Sequence, residues 1–349
     1  MSYKVYSGTE FEEGHNPLFA YVRQEEIVAV EDGTTSIYHG AFANCQTIKK
    51  VILPESVTSI GDNAFKNCTE LEEIFIPDSV TYIGKSAFQG CESLKKIRMS
   101  EEIEYVELGW FMLCINLENI YIGPNVKQIK SSPFFDFWKN FKGFTINEKN
   151  EDFVLIDGNL FGKKGNELIK YVQNQKNETE YEIPSFVTTI RKDAFKRCDK
   201  LEKLILSKNL KHGVEYTAFA KSIETIDING NKNFVFKDGI LYDKKCEKVL
   251  RVLSNVKRYK TLETVKKICA YAFFGGKIEE IELTDNVTTI EEDAIRWCEN
   301  LTKIVIPASV KKIANRLLLF CDNVTICCYR GTPAEAFAKE RNINMEYLK

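Results

Sequence analysis

Histidine is scarce in this 349-residue chain; His15, His39 and His212 are the only ones. The 11 cysteines form no C-x-x-C pair, so the ligand spacing of a zinc ribbon or finger is missing. No G-x-x-x-x-G-K-[ST] frame occurs either, and "FFGGK" at 273–277 is not a phosphate loop. No run approaches the ~18 apolar residues of a membrane span, which argues against membrane insertion. The chain has no excess of charge, with 48 Lys and Arg against 50 Asp and Glu, which argues against a nucleic-acid partner. Its opening, "MSYKVYSGTEFEEGHNPLFAYV", has acidic residues where a signal core should be, giving the expectation of a cytoplasmic protein.

What is present is repetition. The pair "AF" followed by a cysteine four residues after the Ala gives Ala41/Cys45, Ala64/Cys68 and Ala87/Cys91, in steps of 23. Trp110/Cys114 keeps the step, and Pro133-Phe134 falls 23 further on. The register resumes at Ala194/Cys198, Ala218, Ala272, Ala294/Cys298 and Leu317/Cys321. "LEEIFIPDSV" (71–80) returns as "LKKIRMSEEI", "LENIYIGPNV", "LEKLILSKNL" and "LTKIVIPASV". Ile74 and Ile76 alternate with Glu73 and Phe75, the pattern of a half-buried strand. Pro77-Asp78-Ser79 is turn chemistry. Val80 and Ile83 begin a second short strand, and a brief helical turn then carries Ala87 and Phe88 inward. Roughly eight inward residues per coil are too few to fold alone; stacked coils bury one core, the logic of a repeat array.

Two steps are far longer than 23 residues, 61 from Pro133 to Ala194 and 54 from Ala218 to Ala272, and their inserts share text: "NEDFVLIDGNLFGKKGNELIKYV" (150–172) and "NKNFVFKDGILYDKKCEKVLRVL" (231–253). Asp157-Gly158 and Asp238-Gly239 between apolar runs predict β-hairpins spliced into the stack. Thr332-Pro333-Ala334-Glu335 predicts a capping box with Pro at the first helical position, then a helix and a last strand, a C-terminal cap over 324–349. Residues 1–26 are expected to cap the other end of a repeat domain spanning 27–349.

Cysteines recurring in one slot raise four readings: metal ligand, disulfide, nucleophile or core plug. Strands stack ~4.8 Å apart, whereas a disulfide holds its Cβ atoms ~3.8 Å apart. A linear ladder cannot wrap four sulfurs around zinc. Buried, reduced thiols are therefore expected, with no cofactor and no metal. Cys327 and Cys328 are adjacent, so one should be exposed; the two available alignments disagree on which. His39 and His212 fall at outward positions. The sequons at Asn67, Asn177, Asn286, Asn300 and Asn323 are mostly by-products of repeat phrases.

With these residues in hand, the chain resembles the BspA-like, or Treponema pallidum-type, leucine-rich repeat family over about residues 27–349. "VTSIGDNAFKNCTELEEIFIPDSVTYIGKSAFQGC", "DGNLF", "DGILY" and "YRGTPAEAFAKERNI" carry the likeness. The resemblance implies a right-handed repeat solenoid and a non-enzymatic binding role: adhesion to host or matrix proteins, or other protein contact. It also implies a surface-exposed or secreted location as the alternative to the cytoplasm. A polysaccharide partner, a self-assembling scaffold, and an enzyme with an unrecognised site are the other functions considered; the chain itself is expected to be monomeric. The surface expected to bind is the outward row Ile52, Phe75, Arg98 and Tyr121 on successive first strands, with Tyr82 and Tyr105 from the second strands. Aromatic residues and Arg are the residue types that dominate binding hot spots.

Overall fold

The computed structural model describes residues 17–18, 25–130, 140–173, 178–192, 194–196 and 198–349, with the side chains of Pro17, Leu18, Ala218 and Phe219 left aside. Most of the expected N-terminal cap, His15, Pro133-Phe134 and the Asn177 sequon lie outside the described residues. The chain divides into two compact units, 1–164 and 165–349.

In the first unit each coil contributes one residue triplet to one parallel ladder and a shorter piece to another. Ile27–Ala29, Lys50–Ile52, Glu73–Phe75 and Lys96–Arg98 pair in register, Val51 beside Ile74 beside Ile97. The central residue of each triplet is buried and its neighbours face out, as period-2 alternation requires. Ser36–Ile37, Ser59–Ile60 and Tyr82–Ile83 form the second ladder. Asn119–Ile122 pairs with Gly143–Ile146, and Tyr105–Glu107 with Gln128–Lys130, as separate two-stranded ladders.

A third column closes each coil. Phe42, Phe65, Phe88 and Phe111 stack with ring centroids 4.9, 5.5 and 5.9 Å apart and planes within 12° of parallel. The turn that carries them is held open by left-handed residues on either side. Asn63 (φ 56°) precedes Ala64 and Asn67 (φ 59°) precedes Cys68, residues that tolerate this conformation. In two described coils the turn tightens into 3-10 helix, at Leu108–Phe111 and Val214–Phe219.

The cysteine slot is more than a plug. Cys68, Cys91 and Cys114 are fully buried, and each thiol donates to a phenylalanine carbonyl one coil back, at Phe42, Phe65 and Phe88, all at 3.1 Å. Each thiol therefore ties two coils together. Cys45, at the start of the column, departs from the expectation because it is only half-buried, its slot being incompletely covered.

The second unit repeats the scheme. Its first ladders are Glu180–Glu182 with Lys203–Ile205 and Thr225–Asp227, then Arg258–Lys260, Glu280–Glu282, Lys303–Val305, Thr325–Cys328 and Asn344–Tyr347. Both inserts are hairpins as expected: Phe153–Ile156 with Asn159–Gly162 in the first unit, and Phe234–Lys237 with Ile240–Asp243 in the second. Their Asp-Gly turns place both central residues at positive φ, the backbone that matches strand twist. The second insert adds Lys248–Val252, which turns antiparallel to the hairpin and parallel to Lys267–Ile268, joining the stack.

At the C-terminus Thr332 accepts from the Glu335 N–H, Pro333 opens the helix Pro333–Glu340, and the Glu335 carboxylate accepts the Gly331 N–H at 2.6 Å. This cap corrects the expectation for Cys327 and Cys328, because both are buried. Cys327 pairs with Val305 in the outward register, but the adjacent last strand covers it, with Glu346 3.7 Å from its sulfur. Cys328 points inward into the core that includes Ala334, Phe337 and Ala338 of the helix.

The outward flanks of the ladders carry charges of alternating sign. Lys50, Glu73 and Lys96 face one another in register, as do Arg258, Glu280 and Lys303. Ion pairs join neighbouring coils at Lys50–Glu73 (2.5 Å), Lys127–Glu104 (2.6 Å), Lys260–Glu282 (2.8 Å) and Lys203–Glu180 (3.1 Å).

Candidate binding surfaces

In the four-stranded ladder of the first unit the last residue of each triplet points outward. Ile52 and Phe75 stand side by side in the ladder, 48% and 53% exposed. Arg98 follows Phe75 in register and lays its guanidinium over that ring, 4.4 Å from the centroid. It is held there by a two-pronged bond to Asp78, both contacts 2.7 Å, and by donating to the Ile76 carbonyl at 3.0 Å. Asp78 also accepts the Glu101 N–H at 2.9 Å, and Arg98 holds its carboxyl below the usual range. Paired forks of this kind fix a plane as well as a charge. The result is a rigid Ile–Phe–Arg row.

The other named residues sit differently. Tyr121 lies on a separate ladder, half-buried, donating to Glu101 at 3.3 Å and accepting from Asn147 at 2.8 Å. Its hydroxyl is thus occupied by structural bonds, and the ring under Arg98 is that of Phe75. Tyr82 is exposed on the second-strand ladder. Tyr105 is half-buried: its hydroxyl donates to the Ile83 carbonyl at 3.1 Å, and Lys130 Nζ lies 3.7 Å from its ring centroid. Burial pushes its phenol up. The structure therefore brings together Ile52, Phe75 and Arg98, and leaves Tyr82, Tyr105 and Tyr121 on other ladders.

In the second unit a cleft of about 1030 Å³ lies along the second-strand ladder, lined by His212, Asp243, Lys248, Lys267, Cys269 and Glu291 among others. Glu291 is committed within it, pairing with Lys267 at 2.5 Å and accepting the Ala270 N–H at 3.0 Å. Burial pushes the Cys269 thiol up to about 12, so it is no thiolate nucleophile at neutral pH. His39 and His212 are exposed, as expected. No group of three or more His, Cys, Asp and Glu among the described residues is arranged to hold a metal ion.

A family model described as "BspA type Leucine rich repeat region (6 copies)" matches residues 15–161, 167–249 and 252–343. The chain belongs to this family. BspA-type repeats account for the coil text, and the family's proteins characteristically mediate protein interaction. Among solved structures, the pneumococcal vaccine antigen PcpA is similar at 22% identity over 95% of this chain and 83% of that one, TM-score 0.58. A leucine-rich repeat protein from Eubacterium ventriosum ATCC 27560 is similar at 18% identity over 88% of each chain, TM-score 0.57. At these identities the likeness concerns the fold. No curated protein matches the chain.

Reading the BspA-type sequence coil by coil missed one group. Among the described residues, the one just before a ladder cysteine is left-handed: Asn44, Asn67, Gly90 and Leu113 in the first unit, and in the second Trp297 and Phe320, both of them exposed aromatic residues. Comparing that single position across coils would have found them.

Proposed function

We propose that this BspA-type chain is a non-catalytic recognition module whose first unit binds a protein partner, in an adhesion-type contact, through Ile52, Phe75 and Arg98. The observation that carries this reading is the Phe75–Arg98 pair. An exposed ring, clamped by a guanidinium that Asp78 immobilises, offers contact area with little ordering cost on binding. Arg and aromatic residues are the usual anchors of protein interfaces. Ile52 extends the apolar area beside it.

The test is differential capture from host and bacterial extracts by immobilised wild type and by Phe75→Ala combined with Ile52→Ala. A partner retained by wild type should be lost from the double variant by roughly 30-fold in affinity, the size of a hot-spot loss. Equal retention by both, with the variant still folded, refutes the assignment. The buried thiols of Cys68, Cys91 and Cys114, each donating to a main-chain carbonyl, favour a reducing compartment, and we propose a cytoplasmic location on that ground; fractionation of the source cells with an antibody to the chain checks it.

A further inference from the structure

The second unit carries a different surface, built where the repeat most needs small or flexible residues. The position preceding the ladder cysteine is left-handed at Trp297 (φ 57°) and Phe320 (φ 63°), and the equivalent residue one coil earlier is Gly275 (φ 64°). Bulky side chains disfavour this backbone, whereas Asn and Gly tolerate it. Both aromatic residues are nonetheless exposed, 40% and 52%. They form a column with Phe274: Phe274 to Trp297 5.7 Å, Trp297 to Phe320 5.6 Å between centroids.

Cations surround this column. Lys221 Nζ lies 4.3 Å from the Trp297 centroid and 5.3 Å from that of Phe274. Gly275 makes room for it, because a Cβ there would lie 2.6 Å from the lysine Cε. Arg296 lies 5.6 Å from Trp297 and 5.7 Å from Phe320. Beneath, Arg251 is fully buried and donates to the Phe274 carbonyl at 3.1 Å. Among the described residues no carboxylate is within ion-pair distance of Lys221 or Arg251; Glu299 and Asp199 act on Lys221 only at longer range, and Arg251 Nη2 and Arg296 Nε meet no acceptor. Asp293 touches Arg296 only loosely, at 3.5 Å, while pairing with Arg316 at 2.7 Å. Desolvation disfavours the charge on Lys221, a penalty that an incoming carboxylate relieves. The unit as a whole is cationic, with 32 Lys and Arg against 26 Asp and Glu, net +6.

We propose that Trp297, Phe320, Lys221 and Arg296 form a second binding platform, selective for an acidic protein segment that sets carboxylates beside apolar side chains. Charge complementarity identifies the partner's sign. The ring arrangement identifies it as protein: Phe274 stacks on Trp297 and Lys221 covers it, so the indole lacks the clear face that a flat sugar would need. Ring edges and the open Phe320 suit side-chain packing instead. This surface is separate from the Phe75 row and from the proposal made for it.

The test is selection of a displayed library of random linear peptides on the full chain, with hyaluronan and heparin assayed in parallel. Enriched peptides should carry two or more Asp or Glu residues next to Leu, Ile or Phe. The best synthetic peptide should bind roughly tenfold more weakly to Phe320→Ser and to Lys221→Gln, to weaken as NaCl rises, and to bind Phe75→Ala unchanged. Phe320 is half-exposed, so its variant is expected to remain folded, and Lys221→Gln gives a second readout that leaves the aromatic column intact. No enrichment, enrichment without acidic residues, unchanged affinity in both variants, or glycan binding that Phe320→Ser abolishes would each overturn the proposal.

Discussion

Replacing Cys91 by Ala tests the idea that thiols tie the coils together. Cys91 is fully buried and donates to the Phe65 carbonyl at 3.1 Å, while the Cys68 N–H binds that same carbonyl at 3.2 Å. The carbonyl is therefore not orphaned by the change, and the loss is that of one group. Removing a methylene-sized sulfur from the core costs about 0.8 kcal/mol. A residual cavity on the order of 20 Å³, at ~24 cal/mol per Å³, adds about 0.5 kcal/mol. The weak S–H donor contributes about 0.5 kcal/mol, the low end for a hydrogen bond. Together these give about 2 kcal/mol, or roughly a 30-fold larger open population. The assay is the rate at which a thiol reagent labels Cys68 and Cys114 in the folded protein. The neighbouring Cys91 thiol and burial hold the Cys68 thiol well above its ordinary range, so labelling requires opening. Cys45→Ala, at the half-buried start of the column, should change these rates by less than about threefold. Rates for Cys68 and Cys114 in Cys91→Ala within about twofold of wild type would refute the coil-tying role.

Other expectations follow from single contacts. Asp78→Asn should lower stability near neutral pH by about 1 kcal/mol or less, because the Arg98–Asp78 pair is part-exposed and screened. Arg98 depresses the folded pKa of Asp78, so the contribution is complete above about pH 4 and fades as pH falls through the folded value; melts of variant and wild type should converge there. Gly213→Ala should destabilise by roughly 3 kcal/mol or more, since a Cβ would lie 1.9 Å from the Ile190 carbonyl at φ +84°; Gly33→Ala, at φ +87° with open space around it, should cost only about 1 kcal/mol in the same melts. Thr332→Ala removes the helix N-cap and should cost about 1 kcal/mol, read from a thermal melt.

The coil was legible because its inward slots repeat in type: Ile74 and Ile97, Phe65 and Phe88, Cys68 and Cys91 each occupy one column. The hairpins were legible because Asp-Gly is among the few pairs that accept two positive φ values in succession. The binding row was legible only as a list of outward residues. That Arg98 is fixed by Asp78, 20 residues earlier, depends on side-chain reach across a coil boundary, which spacing does not encode. Tyr121 reads as an open aromatic but spends its hydroxyl on Glu101 and Asn147. Cys327 was ambiguous because two phrases implied opposite faces; only its pairing with Val305 decides the face, and only the last strand explains its burial. Arg251, a buried cation in an apolar strand, gives no sign in the sequence that its guanidinium ends at the Phe274 carbonyl.

Coils this alike pose a problem during folding, since any first strand is apolar in the right places to dock on a strand one coil too far along. Burial barely separates the correct neighbour from the next one. The flanking charges do: with Glu73 between them, Lys50 and Lys96 never meet, and Glu280 likewise stands between Arg258 and Lys303. A skipped coil would set lysine against lysine, a directly opposed like-charge pair. Surface ion pairs of this kind add little to the final free energy. Their value is as an address, because they make the wrong neighbour repulsive while the chain is still choosing.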